Sequence, residues 1–146
     1  MKKKFVTILA LVMLTITTAF ATETSVSKDA LTTFTATFAK ATDVKWEMSG
    51  DYYKASFQIN GHSLNTLLSE QGDIIAVYRN IVSADLPLYL QGALYKNYSK
   101  FWISDLAEYA IKGETRYYIT LENGDEKIIM QNMGTDDWSL VKKIAK

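Results

Sequence analysis

Apolar and polar residues alternate along most of this chain, and the places where the alternation stops mark its elements. Leu31, Phe34 and Phe38 recur at helical spacing, with Ala30 and Ala41 alongside, and this predicts a helix over 28–40 with Ser27 as its N-cap. From Asp43 to Met48 the pattern switches to period two, with Val44, Trp46 and Met48 on one side. Ser49-Gly50-Asp51 is a turn, and Tyr53 to Ile59 alternates again. Asn60-Gly61 then offers two positions that tolerate positive φ, the signature of a two-residue hairpin. Such a loop sets the register: Ile59 with His62, Phe57 with Leu64, Ala55 with Thr66 and Tyr53 with Leu68 on the apolar face. Gln58 with Ser63, Ser56 with Asn65, Lys54 with Leu67 and Tyr52 with Ser69 fall on the other. A turn at 70–73 leads to a fourth strand, 74–81.

The second half reads the same way. Asp85-Leu86-Pro87 opens a helix, with Asp85 as cap and Pro87 in the first turn, and Leu86, Leu90 and Leu94 line one face. Strands follow within 105–112, 115–122, 125–132 and 138–144, and a second Asn-Gly at 123–124 predicts another tight hairpin. There Tyr117, Ile119 and Leu121 face inward, and Tyr118 pairs with Ile129 on the opposite side. Residues 100–103 fit an insertion. The expectation is an α+β fold of two helix-plus-four-strand-meander repeats (α-β4-α-β4), about 28–81 and 85–144. Two helices cannot cover both faces of an extended antiparallel sheet, so they share one face and leave the other partly open.

The first twenty residues have another character. Lys2-Lys3-Lys4 precedes an apolar run from Phe5 to Thr18, and Ala19-Phe20-Ala21 is a signal-peptidase pattern. This predicts a cleaved signal peptide, 1–21, and a single mature domain, 22–146, that is periplasmic or secreted with no stable membrane insertion. Over the whole chain sixteen basic side chains match sixteen acidic ones, and without the three leader lysines the balance is about −3. That charge and the lack of a basic cluster argue against nucleic acid. There is no cysteine, which excludes thiol chemistry, disulfides and cysteine-based zinc sites.

Together the residues resemble a known family. Phe34-x-x-x-Phe38, Val44-x-Trp46, the Tyr53 to Phe57 strand, the Gly72 turn and the Asp85-Leu86-Pro87 start of a helix ending at a tyrosine resemble the PepSY-like, or beta-lactamase-inhibitor-protein-like, family of small bacterial envelope proteins. The resemblance covers about 31–144. It implies the layout just described and an envelope location. The inhibitor that names the fold grips an enzyme with its open sheet face and loops. No matching inhibitory loop is present, so that activity does not carry over.

Catalytic chemistry has little support. His62, the one histidine, stands beside a turn with no partner at recognisable spacing. No nucleophile elbow, phosphate loop or metalloprotease motif occurs. Asp125-Glu126 and Asp136-Asp137 read as solvated turn carboxylates. By alternation Tyr52, Lys54, Leu67, Arg116, Tyr118 and Ile129 share the face turned away from the core. Aromatic and aliphatic groups among long polar ones form an interaction surface, or else a half-solvated sheet with incidental aromatics. Trp102 is either a second exposed anchor or a core plug. The expectation is an exported binding protein, with no catalytic residue, metal or cofactor, that docks an envelope protein, peptide or other ligand on that face. A metal-dependent or hydrolytic envelope enzyme and a passive structural component are the alternatives.

Overall fold

The computed structural model describes residues 25–146. The signal segment 1–21 and its cleavage lie outside them. The chain forms two compact units, divided between Val77 and Tyr78. Two α-helices and eight strands among the described residues make it an α+β protein, and every strand pair with a determined register is antiparallel.

The first unit runs α1 (Lys28–Thr37), β1 (Thr42–Ser49), β2 (Tyr52–Ile59), β3 (His62–Leu68) and the start of β4 (Ile74–Asn80). Ser27 caps α1 as expected: its Oγ accepts the Ala30 N–H at 3.1 Å and donates to the Glu70 carbonyl at 2.7 Å. One hydroxyl thus satisfies an orphan helix donor and ties the helix to the β3–β4 turn. That turn passes under the helix at Gly72, whose φ is +85°. The β2–β3 register is the one Asn60-Gly61 imposes, with φ of 51° and 80° at the two turn residues.

α1 buries Ala30 and Phe34 against Ala55, Phe57 and Leu68. Phe34 meets Trp46 and Phe57 edge-on at 5.0 and 5.1 Å, and Phe38 meets Phe57 at 4.8 Å. Such edge-to-face pairs place each ring's positive rim on its neighbour's negative face. Leu31 departs from the expected stripe and is exposed, because Ala30 takes the position beneath the helix. Val44 and Met48 are exposed as well. The β1–β2 register shifts between Thr42 and Lys45, and Asp43 adopts φ of 53°, so strict alternation fails at Val44, whereas Met48 keeps the side of Trp46 but lies uncovered.

The second unit holds the end of β4, a short 3₁₀ turn (Ser83–Asp85), α2 (Leu88–Asn97), β5 (Trp102–Ile111), β6 (Glu114–Glu122), β7 (Glu126–Asn132) and β8 (Ser139–Ala145). Leu86, Leu90 and Leu94 form the expected stripe and pack on Leu106, Tyr117, Ile119, Leu121, Ile128, Met130 and Trp138. Pro87 sits at the N-cap itself, and Asp85 caps the preceding 3₁₀ turn instead of the helix, accepting the Val82 N–H at 3.2 Å. Residues 102 and 103 belong to β5.

The second Asn-Gly does not form a two-residue turn. Glu122 pairs with Lys127, Thr120 with Ile129 and Tyr118 with Gln131, so the register lies two residues from the expected one. The cause is the Asn123 side chain. Its Oδ1 accepts the N–H groups of both Asp125 and Glu126 at 2.9 Å, which stabilises a wider loop. A two-residue slip keeps every side chain on its expected face. The tight turn of this unit is Lys112-Gly113, with φ of 51° and 80°, between paired Ile111 and Glu114.

Candidate interaction surface

The six residues expected on an open face do not stand together as exposed anchors. Leu67, Tyr118 and Ile129 are buried, at 0, 4 and 2% exposure, while Tyr52, Lys54 and Arg116 are half-buried. Alternation assigns each to a side of its strand, but it carries no information on whether that side is covered. Tyr118 is packed edge-on against Tyr109 at 5.0 Å, and Tyr109 stacks flat on Tyr78 at 4.5 Å. Burial pushes the Tyr109 hydroxyl well above its usual titration range. It also raises that of Tyr118, against the opposing pull of Arg116. Lys54 reaches Glu47 at 2.5 Å, and Arg116 reaches Glu114 at 2.9 Å. His62 is exposed at the end of β3. Among the described residues no group of three or more His, Asp or Glu side chains is placed to hold a metal.

The exposed apolar surface lies elsewhere, in the second unit. Leu88 and Tyr95 of α2 are 83 and 85% exposed, Val82 is 64% and Trp102 54%. Tyr95 borders a cleft of about 500 Å³ whose walls include Leu94, Tyr98, Phe101 and Ile103. The end of α2 builds it. The Tyr98 N–H bonds the Leu94 carbonyl at 2.8 Å, and the Phe101 N–H bonds the Tyr98 carbonyl at 3.0 Å. This tight reversal sets the rings of Tyr98 and Phe101 edge-to-face, 6.2 Å apart.

A second cleft, of about 390 Å³, runs between 80–83 and 103–106 and meets the first at Ser83 and Ile103. Here β4 ends with the Ile81 N–H bonded to the Leu106 carbonyl at 3.0 Å, and the β5–β6 register shifts between Ile103 and Asp105. That irregularity leaves Ile103 exposed while Leu106 enters the core. Asp105 lines this cleft. Desolvation raises its carboxyl above the ordinary value, opposed by the Leu106 N–H and by the charge of Lys127. Lys127 itself pairs with Glu122 at 3.3 Å.

Glu122 is the other strongly perturbed acid. Hydrogen bonds from Ser104, Lys146 and Lys127 hold it down to about 2. Lys146 also donates to the Asn123 carbonyl at 2.8 Å and lies over the Trp102 ring at 4.8 Å, which ties down the C-terminus. Trp102 is thus an exposed strand residue beneath a lysine, not a core plug. Sequence reasoning missed Val82, Tyr95, Ile103 and Asp105. The available signal was in α2, where Leu88 and Tyr95 fall off the Leu86, Leu90 and Leu94 stripe.

The fold is shared with solved structures. A DUF2874 family protein from Bacteroides ovatus superposes with a TM-score of 0.69 at 19% identity, covering 81% of this chain and 86% of that one. A BLIP-like protein from Bacteroides fragilis gives 0.66 at 20% identity, covering 82% and 85%. A presumed periplasmic protein from Bacteroides eggerthii gives 0.69 at 10% identity, covering 81% and 87%. No protein-family model and no curated protein matches the chain. The chain therefore has a BLIP-like fold; at these identities the likeness extends to the fold alone. No helix among the described residues is long and apolar enough to cross a membrane.

Proposed function

We propose that this chain is an exported, non-catalytic binding protein that docks a protein or peptide partner in the bacterial envelope. The observation that carries the reading is the apolar surface around the α2 cleft, where Tyr95 and Ile103 stand exposed on a concavity of about 500 Å³ and Val82 stands exposed on the adjoining one. Clefts of roughly 300–1,000 Å³ are the usual size of ligand sites. Exposed aromatic and aliphatic groups of this kind lower their free energy by leaving water on association. The BLIP-like fold supports the reading, since the fold is named after an inhibitor that works by binding. The likeness to a presumed periplasmic protein and the signal-like leader support export. The motifs around Phe34, Trp46 and Asp85-Leu86-Pro87 support a relation to the PepSY-like group, and the like order of elements supports reading the halves as imperfect repeats.

The test is affinity capture from an envelope extract with the tagged, exported protein. The comparison is a Val82→Ser, Tyr95→Ser variant with an unchanged melting curve. A partner retained by the first and lost by the second is the expected result. Retention by both would move the site away from α2. Capture of nothing by either, together with turnover of a substrate in an activity screen, would overturn the binding reading.

A further inference from the structure

The two sides of α2 differ in character. Leu86, Leu90 and Leu94 carry the helix onto the core of the second unit. On the opposite side, at spacings of four and three, stand Leu88, Gly92 and Tyr95, and the two large side chains are 83 and 85% exposed. Gly92 is exposed in the middle of the helix, its φ is not positive, and nothing lies within 4 Å of a would-be Cβ. Glycine weakens a helix interior relative to alanine, so a single chain gains nothing from glycine at this position. A second molecule approaching this side does gain, because a large ring can lie directly against the helix backbone where no side chain intervenes. Gly92 and Tyr95 also border the cleft of about 500 Å³, so a ring lying over Gly92 sits at its mouth.

Resting on the binding reading above, and naming its partner, we propose that this ridge docks on the same ridge of a second copy of the chain, with the two α2 helices antiparallel. A two-fold pair uses one patch twice, so the patch must fit itself. This patch does. Tyr95 of each copy lies over Gly92 of the other, large on small, and in the same register Leu88 of each reaches the end of the other helix at Ser99. Charge favours the same arrangement. Asp85 stands ahead of α2, Lys96 lies in its last turn and Lys100 follows it, all three exposed. Antiparallel packing brings the acidic end of one copy to the basic end of the other, whereas parallel packing would set like charges together. The exposed parts of Leu88, Tyr95 and the flanking Tyr89 amount to roughly 400 Å² per copy, about half of a standard partner surface, so the dimer is a weak, reversible one.

The test is sedimentation velocity on the exported protein over a dilution series, with amide chemical shifts recorded across the same series. A dimer with a dissociation constant on the order of 100 μM is expected, the weak class that so small an interface supports. Dilution should move the amides of Leu88, Gly92, Tyr95 and Ser99. Gly92→Ala places a methyl group between the helices and should weaken the dimer about tenfold or more. The melting temperature of the dilute, monomeric variant should be unchanged or higher, because alanine is the better helix former. Tyr95→Ser, at a side chain that the single chain leaves in water, should abolish dimerisation. A chain that stays monomeric up to about 1 mM, a dimer that Gly92→Ala leaves equally tight, or dilution shifts confined to other residues such as those of β8 would overturn the proposal. If the chain is monomeric and capture from extract still depends on Val82 and Tyr95, the binding reading stands and only the second copy falls.

Discussion

Replacing Gly72 with alanine tests how the first helix is held on its strands. Gly72 has φ of +85°, and a Cβ built there would lie 2.7 Å from the Asp29 carbonyl oxygen, 2.9 Å from its carbon and 2.9 Å from Thr33 Oγ1. Two effects follow. An L-residue in the left-handed region costs about 1–2 kcal/mol. Pushing the turn away from the first turn of α1 adds a packing cost of about 1–3 kcal/mol, because the obstacle is helix backbone and cannot rotate aside. The same shift strains the Ser27 bond to Glu70. Gly61 is an internal control, with φ of +80° and nothing within 4 Å of its would-be Cβ. Gly61→Ala therefore carries only the first effect. With a urea slope of about 1–3 kcal/mol per molar, Gly72→Ala should lower the unfolding midpoint by about 1–2 M and Gly61→Ala by about half of that. The assay is urea unfolding followed by circular dichroism. Equal losses for the two variants would refute the claim that close approach to α1 is what demands glycine at 72.

Asn123→Ala removes the acceptor of two backbone N–H groups and should destabilise the protein by about 1–2 kcal/mol in the same assay. The Thr120 to Ile129 pairing, visible as a cross-strand nuclear Overhauser contact, should survive, because facing apolar side chains also hold it. Glu122 gives a pH signature. Its folded-state pKa, about 2, lies below the ordinary 4.5, so its contribution to stability is full above 4.5 and is lost as pH falls through about 2. Between pH 5 and 2 the urea midpoint of the native protein should therefore fall more steeply than that of Glu122→Gln. Parallel curves would mean that Lys127 and Lys146 contribute nothing there.

The sequence by itself determined the elements whose cause is local. Asn60-Gly61 dictated the β2–β3 register, because only a turn with positive φ at both positions joins strands of this twist through two residues. The Leu86, Leu90 and Leu94 stripe and the Ser27 cap were equally legible, since helical periodicity and a side-chain acceptor act within a few residues. Asn123-Gly124 looked like the same turn, yet its asparagine could bond two following N–H groups and hold a wider loop. Lys112-Gly113 made the tight turn instead. Tertiary structure alone decided what was covered. Period two placed Leu67, Tyr118 and Ile129 opposite the helix-facing core residues, but side and burial are separate properties, and packing buried all three. It likewise took the end of β4, the reversal after α2 and the irregularity of β5 to bring the two clefts together. The whole of α2 separates the end of β4 from the other two segments, and no local pattern records that it meets them.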